Sequence, residues 1–202
     1  MCGGRLASPL LCPTLCRRGA SERGGVRNRV AIFGGSFNPP HRGHTEICRW
    51  IFDRGLADEV IVVPCFIHPF SKSLEKFEHR LAMLHLALSP LPFPIRVSDI
   101  EREMGGVSIT LRTIERLKKR DPDSRFLLVA GSDIRGDISK WHQFERIRGE
   151  VEIIEIPRGS ESRIPNISST DVREKIRSGR RFHEDLEKAV AMYIITHGLY
   201  RE

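Results

Sequence analysis

A chain of 202 residues with 40% hydrophobic and 29% charged residues can bury one sizeable core, and no apolar run nears the roughly 20 residues of a membrane span. The net charge of +7 would suit a nucleic-acid binder, but positions 1–29 hold six of the 33 basic residues and only one of the 26 acidic ones. The remainder, with 27 basic and 25 acidic residues, has neither the charge for a basic groove nor the interleaved aromatics of an RNA-binding module.

Residues 1–27 carry Cys2, Cys12 and Cys16 among Gly, Ser, Pro and Arg, without the periodicity of a packed element. This predicts a disordered extension or a start site read too far upstream, ahead of a third option, an organelle transit peptide. Cys12-x-x-x-Cys16 lacks a second ligand pair, so no zinc site is expected. Cys48 and Cys65 read as reduced core thiols, and the expected compartment is the cytoplasm.

From residue 28 onward the elements alternate. Residues 30–33 (Val-Ala-Ile-Phe) are a buried strand, and Ile47, Trp50, Ile51 and Arg54 fall at helical spacing after a polar turn. Glu59–Pro64 is a second strand, and 65–76 a polar loop. A helix follows over Phe77–Leu88 with Leu81, Leu84 and Leu88 on one face, then a third strand at 95–98. Ser108 is expected to cap a helix running to Arg120, with Leu111, Ile114 and Leu117 inward. Strands at 125–130 and 151–156 and helices at 169–178 and 184–197 complete the chain. The pattern predicts an α/β fold: a doubly wound parallel sheet, Rossmann-like, in a single domain over 28–202 with C-terminal helices. Ligands of such sheets sit beyond the carboxyl ends of the strands, which directs attention to loops 34–44, 65–76, 99–108, 131–141 and 157–170.

The first of these loops reads Gly34-Gly35-Ser36-Phe37-Asn38-Pro39-Pro40-His41-Arg42-Gly43-His44. Glycines let backbone approach a phosphate, and the first-turn N–H groups of a helix have no partner within it. Histidines at i and i+3 add imidazole donors to one face of that turn. Near the other end, Ile167-Ser168-Ser169-Thr170-Asp171-Val172-Arg173 places three hydroxyls at a helix start and an arginine one turn on. That is an N-cap first, and also a plausible second phosphate cradle. A phosphate loop of the Walker type fails at 131–137, where Asp137 stands in place of lysine.

Both segments resemble the signatures of the nicotinate (nicotinamide) mononucleotide adenylyltransferases, members of the nucleotidyltransferase superfamily with His-x-Gly-His and Ile-Ser-Ser-Thr-x-x-Arg motifs. Glu78-His79-Arg80-Leu81-Ala82-Met83 is similar to the helix start of the same branch. The family's Ser-Tyr-Thr-x-Asp-Thr becomes Ser108-Ile109-Thr110-Leu111-Arg112-Thr113, departing at Ile109 and Arg112.

The resemblance implies transfer of AMP from ATP to nicotinate mononucleotide, with release of pyrophosphate and formation of deamido-NAD. It implies His41 and His44 as catalytic, and Gly34, Gly35, Ser36, Phe37, Ser168, Ser169, Thr170 and Arg173 as further ATP contacts. Asn38, Lys72, Thr110, Gly131, Asp133 and Trp141 are the implied substrate contacts, with the indole against the pyridine ring. Mg²⁺ is expected to arrive with ATP, because no carboxylate cluster forms a cage for it. Nicotinamide mononucleotide as substrate and a non-catalytic nucleotide-binding protein remain the alternatives. A phosphopantetheine adenylyltransferase is disfavoured by the Glu-His-Arg-Leu segment and Trp141. A class I aminoacyl-tRNA synthetase is disfavoured because Ser71-Lys72-Ser73 follows the second strand and the chain has no room for an anticodon domain. No nucleic acid and no membrane is expected as a partner, and the sequence leaves homo-oligomerisation open.

Overall fold

The computed structural model describes residues 28–70, 73–131, 143–157, 162 and 164–201. Five strands, β1 (Arg29–Gly35), β2 (Glu59–Pro64), β3 (Ile95–Val97), β4 (Arg125–Gly131) and β5 (Glu152–Ile156), form one all-parallel sheet in the order β3-β2-β1-β4-β5. The α-helices among the described residues are α1 (Arg42–Asp53), α2 (Phe77–Leu88), α3 (Ile100–Met104), α4 (Thr110–Arg120), α5 (Phe144–Glu150), α6 (Ser169–Arg177) and α7 (Lys188–His197).

Strand parity sorts the core into two layers. Ala31, Phe33, Val60, Val62, Leu127 and Val129 pack on Ile47, Cys48 and Ile51 of α1 and on Leu84 and Leu88 of α2. Their sequence neighbours Val30, Ile32, Ile61, Val63, Phe126 and Leu128 meet α3, α4 and α5 through Ile100, Leu111, Ile114, Leu117 and Ile147. Each aliphatic side chain buried this way contributes about 1.5–3 kcal/mol of transfer free energy. A third cluster docks α6 and α7 against α2 through Met83, Ala87, Val172, Val190 and Ile194.

Helix α2 is therefore covered on two sides. Its buried residues are Phe77, Arg80, Met83, Leu84, Ala87 and Leu88, while Leu81 is only half-buried. Because β1 sends its connections to β2 and β3 on one side and lies against β4 on the other, the order reverses between β1 and β4. That is where a crevice opens at the strand ends.

Several boundaries differ from expectation. Ser108 does not cap α4, whose N-cap is Ile109 with no side-chain bond; its Oγ instead accepts from the Phe66 N–H at 2.9 Å. The 99–108 loop contains the short helix α3, and α5 was not expected. The last predicted helix is divided: a 3₁₀ turn at His183–Asp185 precedes α7, with Leu186 fully buried between them.

Candidate active site

The turn from β1 into α1 is built from inside. Gly35 leaves room for the Phe37 ring, since a Cβ there would lie 3.0 Å from it and the ring would have to shift. Phe37 itself adopts a left-handed backbone (φ +47°) and is 1% exposed. Its ring packs edge-on against Phe33, 5.4 Å away, and against His44, 4.8 Å away. The sequence placed Phe37 among ligand contacts; the fold withdraws its side chain and makes it the support beneath His44.

His41 and His44 come together as the spacing requires, with rings stacked at 3.7 Å and an interplanar angle of 29°. His41 is 4% exposed, whereas His44 is half-buried and the more accessible of the two. The backbone N–H of His41 donates to Nδ1 of His44 at 3.0 Å. An Nδ1 that accepts carries no proton, so neutral His44 holds its hydrogen on Nε2. The helix start thus fixes the tautomer and makes Nε2–H the donor. Gly43 is needed for this packing: a Cβ would lie 3.0 Å from two atoms of the His41 ring and 3.2 Å from the Pro165 carbonyl oxygen.

Three carbonyls of the same turn are drawn into bonds. Arg80 Nη1 donates to the Ser36 oxygen at 2.8 Å, Arg173 Nη1 to the Asn38 oxygen at 2.6 Å, and Ser169 Oγ to the Pro39 oxygen at 2.8 Å. The Asn38–Pro39 peptide is cis. Carbonyl dipoles directed at cationic or hydroxyl donors no longer oppose an anion approaching the turn. Arg80 is 1% exposed and also donates through Nε to the Glu75 oxygen at 2.9 Å. Burial pushes the Arg80 and Arg173 guanidinium pKa values down, yet arginine remains charged. Two positive charges therefore flank the turn.

The hydroxyls of the second motif divide their work. Ser168 caps α6 by accepting from the Asp171 N–H at 3.1 Å. Ser169 ties α6 to Pro39, and Thr170 Oγ1 accepts from Arg173 Nη2 at 3.2 Å. Both motifs, 130 residues apart in sequence, meet at residues 38–39. Asn38, expected on the substrate, is 2% exposed, and its Oδ1 already accepts from the Glu75 N–H at 3.1 Å and the Tyr200 hydroxyl at 2.9 Å. With both lone pairs used, that oxygen holds the protein together and is not available to a ligand.

Beside this turn lies a cleft of about 360 Å³ over the ends of β1, β2 and β4, lined in part by Gly34, Gly35, Ser36, Ser108 and Thr110. Its wall includes Glu101, a nearly buried carboxylate that accepts from Thr113 Oγ1 at 2.9 Å and from the Phe66 N–H at 3.2 Å. Burial pushes the neighbouring Cys65 thiol up, so it stays protonated there. The cleft's described lining contains no lysine or arginine. Gly131 ends β4 opposite Ile156. Lys72, Asp133 and Trp141 lie outside the described residues. Among those described, no group of three or more His, Cys, Asp or Glu converges as a metal site.

Sequence reasoning missed Glu101, Tyr200 and the carbonyl bonds of Arg80. A charged residue at a core position of α2 was the one visible sign of the last; nothing in local spacing marked the other two.

A parallel sheet with a glycine-rich turn, an imidazole pair at a helix start and a flanking guanidinium defines a nucleotide-binding α/β protein of the nucleotidyltransferase type. A cytidylyltransferase-like family model matches residues 32–175. A protein of Anaeromyxobacter dehalogenans named probable nicotinate-nucleotide adenylyltransferase is 35% identical, over 85% of this chain and 96% of its own length. One of the same name from Myxococcus xanthus is 34% identical, over 85% and 94%. The chain belongs to the cytidylyltransferase-like family and, within it, to the nicotinate-nucleotide adenylyltransferases. The fold is shared with the nicotinic acid mononucleotide adenylyltransferase of Plasmodium falciparum in its complex with NaAD, with a TM-score of 0.74 at 23% identity, covering 86% of this chain and 98% of that one.

Proposed function

We propose that this protein transfers AMP from ATP to nicotinate mononucleotide, giving deamido-NAD and pyrophosphate, in NAD biosynthesis. The observation that carries the reading is the imidazole pair with its tautomer fixed by the helix start, in a chain related over nearly its whole folded length to nicotinate-nucleotide adenylyltransferases.

A phosphate oxygen of the mononucleotide attacks the α-phosphorus of ATP, and the bond to the bridging oxygen of pyrophosphate breaks. The nucleophile is already an oxyanion, so no general base is required, and the protein's work is positioning and neutralising charge. Nε2–H of His44 donates to the α-phosphate oxygens as their charge grows, with His41 stacked behind it. Ser168, Thr170 and Arg173, with the backbone N–H groups at the start of α6, take the β and γ phosphates beside the backbone of Gly34, Gly35 and Ser36, while Ser169 stays bonded to Pro39. Magnesium would come on the phosphate oxygens of ATP, where it withdraws charge from the leaving group.

The pyridine occupies the cleft with Thr110, and Gly131, Lys72, Asp133 and Trp141 complete the substrate contacts. Helix α4 begins there with no side-chain cap, which leaves first-turn N–H groups for a carboxylate. One observation favours the amide instead: a carboxylate, Glu101, lies on that wall. Pyrophosphate release with ATP, Mg²⁺ and either mononucleotide separates the two. Faster turnover of the acid supports the proposal, and equal or slower turnover than the amide overturns the acid preference.

A further inference from the structure

Tyr200 lies two residues before the end of the chain, far in sequence from both motifs, yet its hydroxyl reaches the interior of the catalytic turn. It donates to Asn38 Oδ1 at 2.9 Å. The same oxygen accepts from the Glu75 N–H, and the Asn38 carbonyl accepts from Arg173. One buried amide residue therefore joins the β1–α1 turn, the loop after β2, helix α6 and the C-terminal tail.

The tail is held deliberately. Helix α7 ends at Gly198 in the left-handed conformation, Leu199 is buried, and Tyr200 is left-handed as well (φ +61°). A non-glycine residue in that region is disfavoured, and persists where surrounding contacts over-determine it. Here the contacts are the leucine anchor and the phenol's bond to Asn38.

We propose that Tyr200 is a positioning residue for ATP: its hydroxyl sets the place of Asn38, and through the Asn38 and Pro39 carbonyls the register of Arg173 and Ser169 against the His41–His44 turn. The inference rests on the nucleotide reading above and goes beyond it, since it assigns the chain's C-terminal tail a part in the phosphate site. Burial, with the nearby Glu75 charge adding to it, pushes the phenol up from its ordinary value, and Arg80 and Arg173 offset this in part. The hydroxyl is thus a donor throughout any ordinary assay range.

The test is Tyr200→Phe, which keeps the ring and its packing, measured beside Asn38→Ala and the two combined. ATP affinity is read by titration calorimetry, turnover by pyrophosphate release, and folding by thermal denaturation. Tyr200→Phe should weaken ATP binding about fivefold and lower kcat about tenfold, because small displacements of reacting groups are costly in rate. Its melting temperature should stay close to wild type. In the double variant, the added effect of Tyr200→Phe on ATP affinity should vanish, since its route through Asn38 is gone. Unchanged affinity in Tyr200→Phe, or effects of the two substitutions that simply multiply, would overturn the proposal. A lowered melting temperature with normal affinity would do so too, leaving only a structural role. Calorimetry with ATP alone does not depend on the second substrate. A wild type that binds ATP without turning over would therefore count against the reaction, while the Tyr200 inference is still judged by affinity.

Discussion

Substituting His44 in two ways separates its chemical part from its structural part. Asparagine places an oxygen where Nδ1 stands, so it still accepts the His41 N–H, but it lacks the Nε2–H donor. Alanine loses both. The capping bond is worth about 1 kcal/mol, and the ring's contacts with His41 and Phe37 about as much again. His44→Ala should therefore be destabilised by about 2 kcal/mol and His44→Asn by about 1 kcal/mol, with about 2–4 °C of melting temperature per kcal/mol in a chain of this size. Rate should behave differently. Loss of one donor aimed at developing charge costs roughly 10²–10³ in kcat, and both variants lose it. Melting curves and pyrophosphate release measured on the same preparations give the comparison. Near-wild-type turnover in His44→Asn would refute the assignment of Nε2–H and with it the tautomer argument.

Other predictions follow from the same geometry. Gly43→Ala must push the His41 ring aside, so adenylyl transfer should fall more than tenfold, by the cost of misplacing a reacting group, while circular dichroism stays native. Arg173→Lys should not restore what Arg173→Ala loses. A single ammonium does not span the Asn38 oxygen and Thr170 Oγ1 as the guanidinium does, and both variants should raise KM for ATP in steady-state assays. Hydrogen bonds from Arg29 hold the Asp58 carboxylate below its usual range. The stability it adds is thus present above the ordinary carboxylate pKa and is lost as pH falls through the lower folded value. Because the pair is exposed, Asp58→Asn should cost only about 0.5 kcal/mol at pH 7, and denaturant titrations of the two proteins should converge under acid conditions. Burial pushes the Cys48 thiol up to about 12, so iodoacetamide should leave Cys48 unmodified in the native protein and alkylate it once urea unfolds the chain, as read by peptide mass spectrometry.

The sheet was legible because strands buried on both faces are written as continuous apolar runs: β2 falls on the expected Glu59–Pro64, β1 extends its expected run by three residues and β4 by one. Helices with a single buried face, such as α4 with Leu111, Ile114 and Leu117, were equally plain. Elements whose partners are distant were not. Ser108 looked like a cap from its neighbours, but Phe66 claims it from 42 positions away. Asn38 was expected on the substrate, Arg80 stood only as part of a helix-start match, and Tyr200 drew no expectation; each is tied down by bonds to another segment. Motif spacing predicted which residues gather at the turn. It did not reveal that several of them, Phe37, Asn38 and Ser169 among them, spend their side chains on holding the turn in shape.

The most direct measurement is chromatographic and mass-spectrometric identification of the products formed from ATP, Mg²⁺ and nicotinate mononucleotide, with pyrophosphate quantified in the same reaction. The account predicts deamido-NAD and pyrophosphate in equal amounts, with neither formed by His44→Asn beyond about a hundredth of the wild-type rate. No dinucleotide from nicotinate mononucleotide, with ATP intact, would contradict it.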